Sequence, residues 1–308
     1  MVTSTDSKPW RGVFTIPCTP FDDRGMLDVE SLCREVQFCV DAGAHGVVCP
    51  VNASEFWTLT DDERRQVARI VVEQVAGRVP VVIGVAGASD QHAVMFAKHA
   101  QAIGADAVIA MPPYVRLVGQ DDIMEYYRVL SAAIRLPIFI QNHDAPAGTR
   151  LSAATCAKLV RELEHVDWIK EETFPPGHAI EEEIRLCGPK LKGVMGGVAG
   201  RYIMDEYRRG ACGTMPACEM TDIASAVWNL LDAGQAKEAR ALFNRLLPVL
   251  NYEALIPGVY KAILKRRSII RYDYLRSHHG NPLDLGDHAE LTEIFSDMKD
   301  LFKLYPPM

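Results

Sequence analysis

Residues 166–173 of the chain read Val166-Asp167-Trp168-Ile169-Lys170-Glu171-Glu172-Thr173. An apolar run of the strand type ends in a lysine, and two carboxylates follow directly. An ammonium group at the inner end of a buried strand is costly to desolvate, so burial favours the neutral amine, which can attack a ketone and form a Schiff base. The alternative is a lysine whose ammonium group reaches solvent and pairs with Glu171 or Glu172.

The sequence around this stretch alternates between short apolar runs and amphipathic segments. The apolar runs predict strands at 13–16, 46–51, 79–84, 107–111, 137–142, 166–171, 191–195 and 213–217. Helices are predicted at 28–42, from Thr60 (with Glu63 a capping box), at 89–103, at 120–134 and from Ser152. Apolar strands that alternate with helices are typical of a parallel sheet covered by helices. About eight such units favour a (β/α)8 TIM barrel over a doubly wound sheet.

The C-terminal part of the chain has helical periodicity only. Segments 224–231, 236–250 and 259–265 carry apolar residues at helical spacing, and a final helix is predicted near 287–303. We therefore predict two regions. Residues 1–225 form a catalytic barrel, and residues 226–308 form a helical extension packed on it.

The composition excludes several classes of protein. A net charge of −7 argues against a nucleic-acid-binding surface. The first nine residues lack the apolar core of a secretory signal, and the apolar runs are too short to span a membrane. The eight cysteines form no CxxC pair, which favours reduced thiols in a cytoplasmic enzyme over a disulfide framework.

In a barrel of this kind, catalytic groups gather where the strands end. These ends carry Asn52, Ala53 and Ser54, then Tyr114, Gln141 and Asn142, Lys170 with Glu172, Gly197, and Met215. The set offers one amine, one nearby carboxylate, and small or polar neighbours. It has no metal-ligand spacing, so no metal is expected. His143 and Asp144 alternate faces in an extended segment, so they are interpreted as polar loop residues rather than joint metal ligands.

Over about residues 10–270 the chain resembles the Schiff-base pyruvate lyases typified by dihydrodipicolinate synthase and N-acetylneuraminate lyase. The motifs that carry the resemblance are Gly12 to Phe21, Gly77 to Val81, Pro112-Pro113-Tyr114 and Trp168-Ile169-Lys170-Glu171. Asn52-Ala53-Ser54-Glu55 occupies the place of the family's carboxylate-binding loop. The resemblance implies a keto acid substrate, a covalent imine with Lys170 and no cofactor. It also implies a homotetramer built as a dimer of dimers.

The departures from the family pattern bear on the reaction. The tyrosine that relays protons at the end of the fifth strand is Gln141 here, and the second tyrosine of the Pro-Tyr-Tyr segment is Val115. Asn52 and Ala53 replace the hydroxyls of a threonine pair. The arginine that holds a second carboxylate in dihydrodipicolinate synthase falls near Pro146, so lysine biosynthesis is disfavoured.

One branch of the family, the L-2-keto-3-deoxyarabonate dehydratases, resembles this chain in those substitutions. The shared features are the Asn-x-Ser-Glu loop, Ala110 to Tyr114, a glutamine before Ala145-Pro146, and Lys170-x-Glu172-Thr173. The chain inserts Asn142-His143 relative to that branch. The resemblance implies a dehydratase that converts a 2-keto-3-deoxy sugar acid, such as L-2-keto-3-deoxyarabonate, to a semialdehyde such as 2-oxoglutarate semialdehyde.

The remaining site residues receive roles on this basis. Glu172 lies two residues from Lys170 and so on the same face of the strand, where it is either the general base at C3 and later acid at the leaving hydroxyl, or a structural partner of the lysine. The backbone N–H groups of Ala53 and Ser54 either hold the substrate carboxylate or belong to an ordinary turn. Tyr114 fills a neighbouring subunit's site or only packs.

Five residues complete the predicted substrate-binding set. Gln141 and Asn142 bind sugar hydroxyls or cap the strand, and Asn52, Gly197 and Met215 lie at neighbouring strand ends. Two other functions stay open. One is an aldolase that cleaves the same keto acids to pyruvate and an aldehyde. The other is a non-catalytic binder of pyruvate-like ligands.

Overall fold

The structure is a computed structural model that describes residues 10–116, 118–144 and 149–307. Within these ranges eight parallel strands close into a barrel in sequence order: β1 Gly12–Thr15, β2 Gly46–Cys49, β3 Val81–Gly84, β4 Ala107–Ala110, β5 Ile138–Asn142, β6 Val166–Glu171, β7 Gly193–Gly196 and β8 Gly213–Thr214. The predicted (β/α)8 barrel is confirmed. The motif Ala145-Pro146 lies outside the described residues.

Helices follow the strands and surround the barrel. In the described part of the chain they are α1 Val29–Asp41, α2 Asp61–Val75, α3 Asp90–Ala102, α4 Gln120–Ala133, α5 Ala153–Glu162, α6 Pro176–Cys187, α7 Ile203–Arg208, α8 Thr221–Asp232, α9 Ala236–Leu255, α10 Val259–Arg266 and α11 Leu285–Met298. None of these helices has the length and apolar character needed to cross a membrane.

Local sequence accounts for several helix starts. Thr60 accepts a hydrogen bond from the Glu63 N–H, and the Glu63 carboxylate accepts one from the Thr60 N–H, which is the predicted capping box. The Ser152 hydroxyl caps α5 by accepting a hydrogen bond from the Thr155 N–H at 3.1 Å. The last strand is shorter than the predicted 213–217. Pro216 lacks an N–H to donate, although its carbonyl still accepts from the Ile16 N–H at 2.8 Å.

Large apolar side chains fill the barrel interior toward the N-terminal ends of the strands. Phe139 and Trp168 stack with ring centroids 5.1 Å apart, and Trp10 stacks on Trp168 at 5.4 Å. Burial of each large side chain of this kind contributes roughly 1.5–3 kcal/mol. Gln141 and Lys170 lie two residues further along the same strands, so they point to the same inner face one layer above this core.

The C-terminal helices share one hydrophobic cluster with the barrel. It joins residues of α8, α9, α10 and α11 to Val13 of β1 and to Ile203 and Met204 of α7. Helix α8 crosses the boundary predicted at residue 225. The division of the chain at that position stays a prediction.

Candidate active site

The register between β5, β6 and β7 decides which side chains face the barrel interior. Gln141 pairs with Lys170, and Lys170 pairs with Met195. Because side chains alternate along a strand, these three point inward, and their successors Asn142 and Glu171 point outward to the helix layer.

Lys170 and Glu172 form the centre of the inner layer. The Lys170 Nζ lies 3.0 Å from the Glu172 Oε1, and their side chains are 2% and 11% exposed. The Gln141 Nε2 donates to the Glu172 Oε2 at 2.8 Å. Burial raises the pKa of Glu172, but the charges of Lys170 and His143 and these hydrogen bonds outweigh it, so the net pKa is lowered. Glu172 is therefore a carboxylate held against the amine.

Gly197 makes room for this carboxylate. A Cβ atom at Gly197 would lie 2.2 Å from the Glu172 Cγ, well inside van der Waals contact. The predicted place of Gly197 at the site is therefore explained by space for Glu172. Direct contact of Gly197 with substrate stays a prediction.

The contacts of Asn142 favour the second of its two predicted roles. Its Nδ2 donates to the Glu171 Oε2 at 2.7 Å and to the Leu151 carbonyl at 3.1 Å, and its Oδ1 accepts from the Leu151 N–H at 2.8 Å. The side chain is buried on the outer face of β5 with its polar atoms engaged. The register turns Asn142 away from Lys170, which favours the alternative that it caps the strand. Binding of sugar hydroxyls by Asn142 stays a prediction.

The contacts of Ser54 favour the second of its two predicted roles, an ordinary turn. Its N–H donates to the Val51 carbonyl at 2.9 Å, its hydroxyl donates to the Pro17 carbonyl at 2.6 Å, and the residue is fully buried. Its N–H is therefore committed to the turn rather than to a substrate carboxylate. Ala53 packs on the hydrophobic cluster inside the barrel, and the Asn52 Nδ2 lies 3.9 Å from the Met111 Sδ. For these two residues the carboxylate-binding role stays a prediction.

Tyr114 and Met215 lie at the rim and in the interior, respectively. Tyr114 packs edge-on against Phe56 with ring centroids 5.5 Å apart, and burial raises its pKa. Met215 is 1% exposed and belongs to the same interior cluster as Met195. Their contact with substrate stays a prediction.

A group of buried carboxyls behind the site was not anticipated. Glu171 faces Glu183 of α6, and Glu206 of α7 lies against Gly196, where a Cβ atom would be 1.9 Å from the Glu206 Oε2. Burial, then neighbouring carboxylates, raises the pKa of Glu206 to about 8, and burial with Glu171 raises the pKa of Glu183 well above its ordinary value. Nothing local in the sequence signals this group, because helix packing brings its members together.

The described residues contain no group of three or more histidine, cysteine, aspartate or glutamate side chains placed to hold a metal ion. Among the polar groups of the inner layer are the amine of Lys170, the carboxylate of Glu172 and the amide of Gln141.

A parallel eight-stranded barrel with a buried lysine near the end of β6, and a carboxylate in contact with that lysine, defines a lyase of the Schiff-base-forming class. The model of the dihydrodipicolinate synthetase family matches residues 9–283, and the chain belongs to this family. Enzymes of the family form a Schiff base with a lysine and need no cofactor.

The similar proteins include a dehydratase and synthases. The chain is 35% identical to an L-2-keto-3-deoxyarabonate dehydratase of Azospirillum brasilense over 300 residues, which cover 95% of this chain and 96% of that protein. It is 33% identical to a 4-hydroxy-tetrahydrodipicolinate synthase of Bartonella quintana over 178 residues, 58% of this chain and 60% of that protein. The solved dihydrodipicolinate synthase of Thermotoga maritima superposes with a TM-score of 0.87 at 23% identity, covering 96% of this chain and all of that one.

Proposed function

We propose that the protein is a dehydratase of 2-keto-3-deoxy sugar acids, with L-2-keto-3-deoxyarabonate as substrate and 2-oxoglutarate semialdehyde as product. The observation that carries the proposal is the contact between Lys170 and Glu172, with Gln141 in the place of the relay tyrosine. The dehydratase relative that aligns over nearly the whole chain supports the same assignment.

In the proposed reaction, the Lys170 amine attacks the C2 ketone and expels water as the imine forms. The protonated imine withdraws electrons from C3, and Glu172 removes a C3 proton to give the enamine. The enamine expels the C4 hydroxyl as water and becomes an unsaturated imine. Loss of a C5 proton and return of a proton to C3 give an enol across C4 and C5. The enol loses its hydroxyl proton and gains a proton at C4 to become the aldehyde, and hydrolysis of the imine releases the product. The net change is the loss of one water molecule.

The polar groups of the inner layer favour dehydration over aldol cleavage. Cleavage of the C3–C4 bond requires a base at the C4 hydroxyl, which the family's tyrosine relay would provide. Here Gln141 donates to Glu172 and cannot act as that base. Its lowered pKa keeps Glu172 ionised at neutral pH, as removal of the C3 proton requires.

The test is incubation of the purified protein with 2-keto-3-deoxy-L-arabonate, with NMR detection of products. We expect 2-oxoglutarate semialdehyde and, in Glu172→Gln, a rate lower by about 10²–10⁴-fold. Pyruvate with glycolaldehyde would instead show an aldolase. Borohydride trapping with pyruvate should label Lys170, and the matched Lys170→Met variant should not be labelled. An unlabelled wild-type protein would refute the imine and leave the non-catalytic binder.

We further propose that the protein is a cytoplasmic homotetramer. Trp57 and Val115 are 55% and 71% exposed beside the rim cluster of Phe56 and Tyr114, and a subunit interface would cover them. Light scattering after size-exclusion chromatography should give four times the mass of the chain. A monomer at micromolar concentration would contradict this assembly.

A further inference from the structure

His143 lies in the same inner layer as Glu172. The pairs Gln141–Lys170 and Asn142–Glu171 run in register, and the Glu172 N–H donates to the Asn142 carbonyl at 2.9 Å. The next residues along the two segments are His143 and Glu172, whose backbones therefore lie side by side. His143 directly follows β5, two residues beyond the inward-pointing Gln141, and its charge acts on the Glu172 carboxylate, which places its side chain on the inner side.

Asp144 holds this segment in place. Its Oδ2 accepts from the Phe174 N–H at 3.2 Å, and its Oδ1 lies 3.6 Å from the Arg150 guanidinium. Together with the bond to the Glu172 N–H, this contact ties the backbone after β5 to the backbone after β6 at two points. The half-buried residue His143 lies between these two points of the backbone.

The ring has a defined tautomer. The His143 Nδ1 lies 2.7 Å from the Asp144 carbonyl oxygen, and a carbonyl only accepts, so the Nδ1 atom carries a hydrogen. Exchange of a proton with a ligand is therefore left to the Nε2 atom. The charge of His143 is also among the causes that lower the pKa of Glu172, after burial, which raises it, and Lys170, which lowers it.

Resting on the proposed dehydration, we propose that His143 is the general acid that protonates the C4 hydroxyl as it leaves, while Glu172 is the base at C3. Glu172 has both oxygens engaged, one by Lys170 and one by Gln141, and is an ionised carboxylate. A group of that kind suits proton removal, and an imidazolium suits proton donation to a hydroxyl. The base at C3 and the acid at C4 are thus two different residues.

The protons balance over one turnover. Glu172 gains the C3 proton as the enamine forms. The C4–O bond then breaks, the electron pair stays with oxygen, and the Nε2 proton of His143 converts the leaving hydroxide to water. Glu172 then holds one proton too many and His143 one too few. Transfer between these neighbours restores both before the next cycle.

The experiment separates the two steps in one protein. Exchange of the methyl protons of pyruvate in D2O reports imine formation and C3 deprotonation, and conversion of 2-keto-3-deoxy-L-arabonate reports elimination. In His143→Gln we expect exchange and borohydride trapping within about twofold of wild type, and elimination lower by about 10²–10³-fold. Glu172→Gln should lose exchange as well. The matched control His178→Gln, on the exposed face of α6, should change neither.

A second variant guards against a purely structural effect. In His143→Ala, added imidazole should restore elimination in proportion to its concentration and leave exchange unchanged. Elimination within about threefold of wild type in His143→Gln would overturn the proposal, and so would parallel loss of exchange and elimination. Failure of the proposed function itself is distinguishable, because wild-type protein would then release no semialdehyde before any variant is made.

Discussion

Replacing Glu206 by glutamine should stabilise the protein at alkaline pH far more than at acidic pH. Glu206 is fully buried against Gly196, and within the described residues neither of its oxygens has a hydrogen-bond partner. Burial raises its pKa to about 8, so the folded protein holds this proton where an unfolded chain releases it.

The magnitude follows from proton linkage. In the unfolded chain a glutamate loses its proton near the ordinary value of 4.5, and in the folded protein Glu206 does so at about 8. A raised pKa of an acid in the folded state leaves stability intact below 4.5 and lowers it as the pH rises from 4.5 to about 8. With about 1.4 kcal/mol per pH unit, the loss between about pH 5 and about pH 8.5 is about 4 kcal/mol.

Glutamine does not titrate, so the variant does not lose this part of its free energy of unfolding as the pH rises. Any cost of burying its amide is the same at every pH and cancels when the two pH values are compared. The free energy of unfolding of Glu206→Gln minus that of wild type should therefore rise by about 4 kcal/mol from about pH 5 to about pH 8.5.

Equilibrium unfolding in urea, followed by circular dichroism at one fixed protein concentration, measures this difference. The control is Glu238→Gln, an exposed position on α9 whose carboxylate stays in solvent. Infrared difference spectra at neutral pH should also show one protonated carboxyl band lost in Glu206→Gln. A difference that changes by less than about 1 kcal/mol between the two pH values would refute the reasoning.

Three further results are expected. Gly197→Ala should lower turnover by about 10²-fold, because its Cβ displaces Glu172. Gly119→Ala should leave turnover unchanged, because a Cβ there meets nothing closer than 3.8 Å. Equal rates in the two variants would contradict the close approach of Gly197 to Glu172. Lys261→Met should destabilise the protein by about 3–5 kcal/mol in urea, because it leaves Glu55 without its buried partner at 2.5 Å, and adding Glu55→Gln should recover part of the loss. Six of the eight cysteines are buried, so a thiol reagent should label at most two rapidly in the native protein and all eight in urea.

Much of the architecture was predictable because its signals are local. The alternation of apolar runs with amphipathic segments is written in consecutive residues, and it predicted the eight strands and the barrel. The capping box at Thr60 likewise needs only residues three apart. Lys170 was predicted as the amine of the site because it ends an apolar run at a strand end of the barrel and because the motifs around it resemble those of the Schiff-base lyases.

The sequence by itself thus determined the barrel, the position of Lys170 and the nearness of Glu172. Only the tertiary structure decided what depends on the register between neighbouring strands. That register turns Asn142 outward and brings His143 beside Glu172, and no single strand contains the information. Helix packing likewise places Glu206 behind the site, since residues distant in sequence meet only when the core closes. Local periodicity sets which elements form, and long-range packing sets which side chains meet.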